Sequence, residues 1–273
     1  MINYKIDSRY MKGSGYGSLG MTNKYYKDGY WYKQNCSGYE GKSEYLCSIL
    51  LKNSNLTNYI EYEECLINEK PGCRSKNFTH AGEQVVTFHK LFKMTHGGEL
   101  AHQIAVYGTV DDRIQYILDF IYSVTGLDCR QYLNDILYID MLTLDVDRHF
   151  SNLAVIRAGN SWREAPLFDF GASFFSLQHV FKKEMTFDEK CKIMTPQPFS
   201  GSLEEQAFAL GDCRIRLDYE QIEKDITEEE TIMNCKSGSL GSSISQCTDC
   251  GHTEFHHNSC RNRNCPNCQA RCV

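Results

Sequence analysis

Between Leu144 and Gly171 the chain reads LDVDRHFSNLAVIRAGNSWREAPLFDFG, and the positions of Asp147, Asn152 and Asp169 in it restrict the fold more than any other feature. Two apolar runs, LAVI and LFDF, lie between these polar side chains. Such runs are drawn into a core, and a carboxylate carried in with them is costly unless a cation or hydrogen bonds compensate it. Any acceptable fold must therefore bring compensating groups to these positions. The polar stretch RAGNSWREAP separates LAVI from LFDF, which predicts two short strands joined by a loop, with Asn152 leading into the first and Asp169 ending the second.

Upstream, GSGYGSLG (13–20) reads as a loop, and its glycines do not spell GxGxxG, so no phosphate loop is identified there. NKYYKDGYWYKQ sets aromatic residues on either side of an Asp28-Gly29 turn signal, which predicts a hairpin with Lys33 on its second strand. EGKSEYLCSILLK predicts a helix packed on that sheet through Tyr45, Leu46, Ile49 and Leu50, with Glu44 in its first turn. From Leu91 to about Leu142 the pattern is mostly helical. RIQYILDFIYSVTG places Ile114, Ile117, Leu118, Ile121 and Tyr122 on one face and stops at a glycine. Helical pattern returns after Gly171, in SLEEQAFAL and LDYEQIEKDI, and the acidic TEEE (227–230) with the following KSGSLGSSIS reads as a linker.

Phosphoryl transfer from ATP needs a carboxylate to accept the acceptor hydroxyl's proton, oxygen ligands for Mg2+ and a lysine on the phosphates. Asp147 with Asn152 five residues on has the spacing of a kinase catalytic loop, with an aspartate as base and an asparagine on the metal. Asp169-Phe170-Gly171 adds a second oxygen ligand of the kind Mg2+ prefers. The competing structural reading is a pair of Asx-turn residues flanking a hairpin.

DRHFSN with DFG, preceded by WYKQNCSGYEGKSEYLCSILL, resembles the HipA-like branch of the protein-kinase superfamily, bacterial serine/threonine kinases whose base sits in a DRHxxN spelling. The resemblance covers roughly residues 10–226. It implies an α+β, bilobed protein-kinase-like fold, with a β-rich N-terminal lobe (1–95) and a mostly helical C-terminal lobe (96–230). It also implies Asp147 as catalytic base, Asn152 and Asp169 as Mg2+ ligands, and Lys33 as the ATP-phosphate lysine. Glu44 is its helix partner by the same resemblance; an exposed glutamate favoured by the helix dipole is the alternative. Arg148 and His149 are motif residues that position the loop, and RSKNF (74–78) fits the hinge-proximal strand. Phosphoinositide kinases share the DRHxxN spelling, but no basic patch accompanies the motif here.

The last 39 residues hold seven of the 14 cysteines. Cys247-x2-Cys250 and Cys265-x2-Cys268 lie 14 residues apart, a spacing that folds four thiolates around one tetrahedral Zn2+ in a small zinc-ribbon-like tail (235–273). Metal would supply most of the folding free energy of so short a segment. Cys260, His252, His256 and His257 could exchange into the set or take a second ion, though a surface role suits them better. NSCRNRNCPNCQ resembles the zinc-binding domain of insertion-sequence transposases, which implies DNA contact with Arg261 and Arg263 near phosphates.

The formal charge of -6 argues against a general nucleic-acid binder for the chain as a whole, while residues 235–273 carry four basic against two acidic side chains. No signal-peptide core and no apolar run near the roughly 20 residues of a bilayer span are present, so no membrane partner and a reducing, cytoplasmic location are expected. The expected function is an ATP-, Mg2+-dependent protein Ser/Thr kinase fused to a zinc-binding segment. Its competitor is a transposase-derived, zinc-dependent DNA-binding fusion whose kinase body is incomplete or inactive.

Overall fold

The computed structural model describes residues 1–12, 23–36, 38–233, 242–246 and 253–257. The chain divides into two compact units, Met1–Leu217 and Asp218–Val273.

In the first unit, β1 (Asn3–Tyr4) and β2 (Met11–Lys12) precede in sequence the hairpin of β3 (Lys24–Lys27) and β4 (Tyr30–Gln34). The helix α1 (Glu40–Lys52) then leads to β5 (Tyr62–Ile67) and β6 (Lys70–Lys76). These strands form a six-stranded sheet in the order β1-β5-β6-β4-β3-β2. The hairpin turns where the sequence signals it, with both Asp28 (φ 51°) and Gly29 (φ 79°) left-handed, as a two-residue turn matching strand twist requires. Alternation then sorts the side chains. Tyr25 and Tyr32 are paired across the strands and buried with Ile6, Cys65 and Ile67. Lys24 and Lys33 are also directly paired, as are Tyr26 and Trp31, on the opposite face.

Glycines let α1 approach this sheet. A Cβ on Gly72 would lie 2.3 Å from the Lys33 carbonyl oxygen, and one on Gly41 would lie 2.6 Å from the Gly72 carbonyl carbon. The helix forms over the expected residues and buries Ile49 as expected, but its packed face is turned toward Gly41, Glu44, Cys47, Ser48 and Leu51, which are buried, while Tyr45, Leu46 and Leu50 are only half buried. Its inward stripe is partly polar because it has polar partners to meet, so reading the apolar side chains alone rotates the helix.

After β7 (Glu83–Thr87) the chain turns helical through α2 (Phe88–His96), α3 (Leu100–Ile104), α4 (Val110–Thr125) and α5 (Arg130–Thr143). The start of α4 is capped by the Thr109 hydroxyl, which accepts from Asp112 N, and its end by a left-handed Gly126. Ile114, Ile117, Leu118 and Ile121 are buried as expected, each contributing about 1.5–3 kcal/mol of burial. Tyr122 is 62% exposed and lies off the stripe that the apolar count assigned it to. This helical core continues into Cys47, Leu51, Phe150, Leu153, Phe170 and Phe199.

The strands β8 (Ala154–Ala158) and β9 (Ser161–Glu164) join β7 in a second sheet of order β7-β8-β9. LAVI supplies most of β8, but the second strand is SWRE and not LFDF. Ala158 pairs with Ser161 around a two-residue Gly159-Asn160 turn, a hairpin signal that a loop reading of RAGNSWREAP overlooks. Leu167 makes only an isolated bridge to Tyr59, and Asp169 sits five residues beyond β9. The short helices α6 (Phe187–Ile193) and α7 (Leu203–Phe208) complete the first unit.

The second unit contains α8 (Tyr219–Met233), which runs through TEEE, and an antiparallel pair of β10 (Ser242–Gln246) and β11 (Thr253–His257). Part of the expected linker is therefore helix, and its final residues enter a strand. Gly13, Gly15, Gly17 and Gly20, together with Cys247, Cys250, Cys265 and Cys268, lie outside the described residues.

Candidate active site

Lys33 projects from β4 and ion-pairs with two carboxylates of distant sequence, Glu44 Oε1 on α1 at 2.8 Å and Asp169. Burial alone would depress the Lys33 ammonium, but Asp169 and then Glu44 outweigh it and raise its pKa well above the ordinary value. Burial would likewise raise Asp169; Lys33 and then Lys24 overcome this and hold it well below the usual carboxylate range. Glu44 is fully buried, and burial raises its pKa against the pull of Lys33. One lysine is thus shared by a strongly ionised aspartate and a less readily ionised glutamate.

The remaining contacts of α1 lock the segment carrying Asp169. Glu44 Oε2 accepts from Phe170 N at 2.8 Å, and Ser43 Oγ lies 2.9 Å from Phe170 O and 3.0 Å from Ser173 O. Asp169 itself is left-handed (φ 63°), a conformation that aspartate tolerates better than most residues. At Gly171 a Cβ would stand 3.3 Å from Lys33 Nζ, so the glycine lets α1, β4 and this segment converge.

The loop after α5 carries the other two residues. Left-handed Leu144 (φ 58°) ends the helix, and Asp145 N then donates back to Asp140 O at 2.8 Å. Arg148 is completely buried and grips Asp140 through both carboxylate oxygens, at 2.9 and 2.8 Å. Its third nitrogen donates to Asn152 O (3.2 Å) and to Phe168 O (2.8 Å), and the guanidinium lies 4.9 Å from the Phe170 ring centroid. Arg148 therefore ties the helix, the loop and the Asp169 segment together.

Asp147 is left exposed by this arrangement. Partial desolvation raises its pKa, opposed first by His149, while Asp169 adds a further rise and Lys33 a lowering; the carboxylate thus lies within electrostatic reach of both. Asn152 Nδ2 donates to Asp147 O at 3.0 Å, whereas its buried Oδ1 has no hydrogen-bond partner among the described residues. An unsatisfied buried amide oxygen calls for an explanation. With the ionised Asp169 it supplies the hard oxygen donors that Mg2+ takes, and Mg2+ commonly uses one or two protein oxygens beside substrate phosphates. The residues therefore fit the ion. Among the described residues no group of three or more His, Cys, Asp or Glu gathers as a metal cluster, so such a site would lean on its substrate for the remaining ligands.

Lys33 and Asp169 line a cavity of about 480 Å³ whose walls include Lys24, Trp31, Tyr62, Ser75, Asn77, Phe78, Val85 and Phe168. This size lies within the usual range for small-molecule sites, as does the mix of aromatic wall and a few polar groups. Lys33, Glu44, Asp147, Asn152 and Asp169 are thus brought together within one unit. Sequence reasoning passed over Lys24, Ser43, Asp140 and Asp145. Only Lys24 had a readable signal, since a hairpin centred on Asp28-Gly29 sets it opposite Lys33.

Asp145 gives a pH test of the loop. Burial, then the neighbouring Asp140, raise its carboxyl from 3.8 to about 7, although Asp147 N and Ser173 Oγ both donate to it. A carboxyl with a raised folded-state pKa holds more protons folded than unfolded between those two values, so its contribution to stability is lost as pH rises through that window. The melting temperature of Asp145→Asn relative to the native chain should therefore rise between about pH 4 and about pH 7 and level off above that. A difference that is flat with pH would show that Asp145 does not titrate there.

Residues 213–273 match the transposase zinc-binding domain family. A 36-residue stretch is 44% identical to the Sinorhizobium fredii protein named transposase y4qJ; it spans 13% of this chain and 9% of that protein's length. Among solved structures, the Helicobacter pylori proinflammatory kinase CtkA is similar, with a TM-score of 0.50 at 18% identity over 71% of this chain and 69% of that one. At that identity the likeness bears on the fold, which is mixed α/β and kinase-like. Among the described residues no helix is long and apolar enough to cross a membrane.

Proposed function

We propose that the Met1–Leu217 unit is an ATP-dependent phosphotransferase acting on a serine or threonine hydroxyl of a protein, of the HipA-like kind that its motifs resemble. The observation that carries this reading is the convergence of Lys33, Glu44 and Asp169 at a cavity of about 480 Å³, beside a loop presenting Asp147 and Asn152. Lys33 stays protonated across the physiological range and would hold phosphate oxygens, with Glu44 keeping it aimed into the cavity. Asn152 and Asp169 would hold Mg2+, which when bound neutralises charge on the phosphates. Asp147, exposed at its tip and fixed through its backbone, would orient the acceptor hydroxyl and take its proton. The kinase-like neighbour supports this reading at the level of the fold.

The second unit favours an additional reading. Its match to a zinc-binding family supports one Zn2+ held by Cys247, Cys250, Cys265 and Cys268, with DNA contact through Arg261 and Arg263 and a reducing, cytoplasmic setting for the thiolates. This would be the whole function if the first unit were inactive.

Incubation of the full chain with labelled ATP and Mg2+ distinguishes the two. Autophosphorylation that is lost in both Lys33→Met and Asp169→Asn supports the enzyme. An equal blank from the native chain and both variants, with zinc retained and a duplex DNA probe shifted, favours the binding protein.

A further inference from the structure

The hairpin that presents Lys33 presents a second lysine to the same cavity. Lys24 on β3 is the direct cross-strand partner of Lys33 on β4, and both side chains leave the sheet on the face opposite buried Tyr25 and Tyr32. Both line the cavity together with Asp169. Two like charges directly opposite each other on a sheet repel, and such a pair persists only where anions compensate it. Here the compensation comes from Asp169, which acts on both lysines, and from Glu44.

A site that only needed to hold Asp169 in place would be served by Lys33 alone. A second ammonium directly opposite it adds repulsion. What a paired ammonium suits is a polyanion spread over more than one phosphate, since lysine binds phosphate as a point charge on a flexible stem. We propose that Lys24 is a second phosphate-binding lysine of the nucleotide site, sharing the triphosphate with Lys33. This rests on the nucleotide reading of the cavity given above.

Burial, more than any neighbour, lowers the Lys24 pKa, with Asp169 opposing it and Lys33 adding to it. An arriving polyanion would relieve that penalty, so the gain from Lys24 is realised on binding.

The test is calorimetric titration of the full chain with ATP, ADP and adenosine in the presence of Mg2+, for the native chain, Lys24→Gln, Lys24→Arg and Lys33→Met. Lys24→Gln should weaken ATP and ADP about tenfold, the loss of one charged hydrogen bond, and leave adenosine unchanged, while Lys24→Arg recovers most of the affinity. If Lys24→Gln binds ATP within about twofold of the native chain while Lys33→Met does not, Lys24 is not a phosphate ligand and the nucleotide site stands. Equal weakening of adenosine and ATP would assign Lys24 a structural role and also overturn the proposal. Absence of ATP binding by the native chain would remove the nucleotide reading and this inference with it. Should Lys24→Gln fail to fold, Lys24→Met is judged by the same ratio of ATP to adenosine affinity.

Discussion

Replacing Asp147 by Asn is expected to slow phosphate transfer roughly 10²–10⁴-fold, the usual contribution of a positioned general base, with ATP affinity and melting temperature close to those of the native chain. The separation is expected because the side chain and backbone of Asp147 do different work. Its backbone holds the loop: the N–H donates to Asp145 at 2.9 Å, and the carbonyl accepts from Asn152 Nδ2 and from His149 N. The exposed carboxylate takes no part in those bonds. An amide of the same shape keeps the loop and removes the proton acceptor. Initial rates of labelled phosphate transfer, an ATP titration and a thermal melt on the same preparations would measure the three quantities separately. The native rate should also rise with pH along an acid limb displaced upward from the ordinary aspartate range, since desolvation raises this carboxyl, and the variant should lack that limb. A variant that transfers phosphate at the native rate would remove Asp147 from the chemistry.

The parts of this site legible in the sequence are those where a local rule and a chemical need coincide. Lys33 could be placed on the second strand of a hairpin because Asp28-Gly29 announces the turn and alternation fixes its face. Asp147, Asn152 and Asp169 could be singled out because oxygen-bearing side chains among apolar runs need a reason to be there, and the structure gathers them with Lys33. What stayed hidden depends on contacts distant in sequence. Ser43 meets Phe170 O and Ser173 O across more than a hundred residues, and nothing in EGKSEYLCSILLK marks that serine as inward facing. The same blindness put Tyr45, Leu46 and Leu50 beside Ile49 on the packed face of α1, when Glu44 and Ser43 had the stronger claim through their partners. Asp140 looked like an ordinary polar position of α5 because its reason for burial, Arg148, lies beyond the end of that helix. The misplaced second strand has a different cause: SWRE is polar because it lies at the edge of its sheet, and an apolar run was sought where a turn signal should have decided.

Arg148→Met is expected to destabilise the first unit by about 3–5 kcal/mol, because it strands a buried Asp140 carboxylate. For a unit of this size that lowers the melting temperature by roughly 6–20 °C. The attraction of Arg148 does not fully offset the desolvation of Asp140, whose pKa burial raises. Removing the cation therefore exposes the full penalty on the remaining partner. Two carbonyls lose their donor at once, those of buried Asn152 and half-buried Phe168. If charge burial dominates, Arg148→Met combined with Asp140→Leu should recover much of the loss, since replacing a whole buried pair by apolar side chains is often neutral. If the two carbonyls dominate, the double variant stays near the single one. Either result should leave phosphate transfer impaired, because the recovered stability does not restore the link from Asn152 to the Asp169 segment. Native transfer rates in the double variant would show that the loop keeps its geometry without Arg148, and would confine that residue to stability alone.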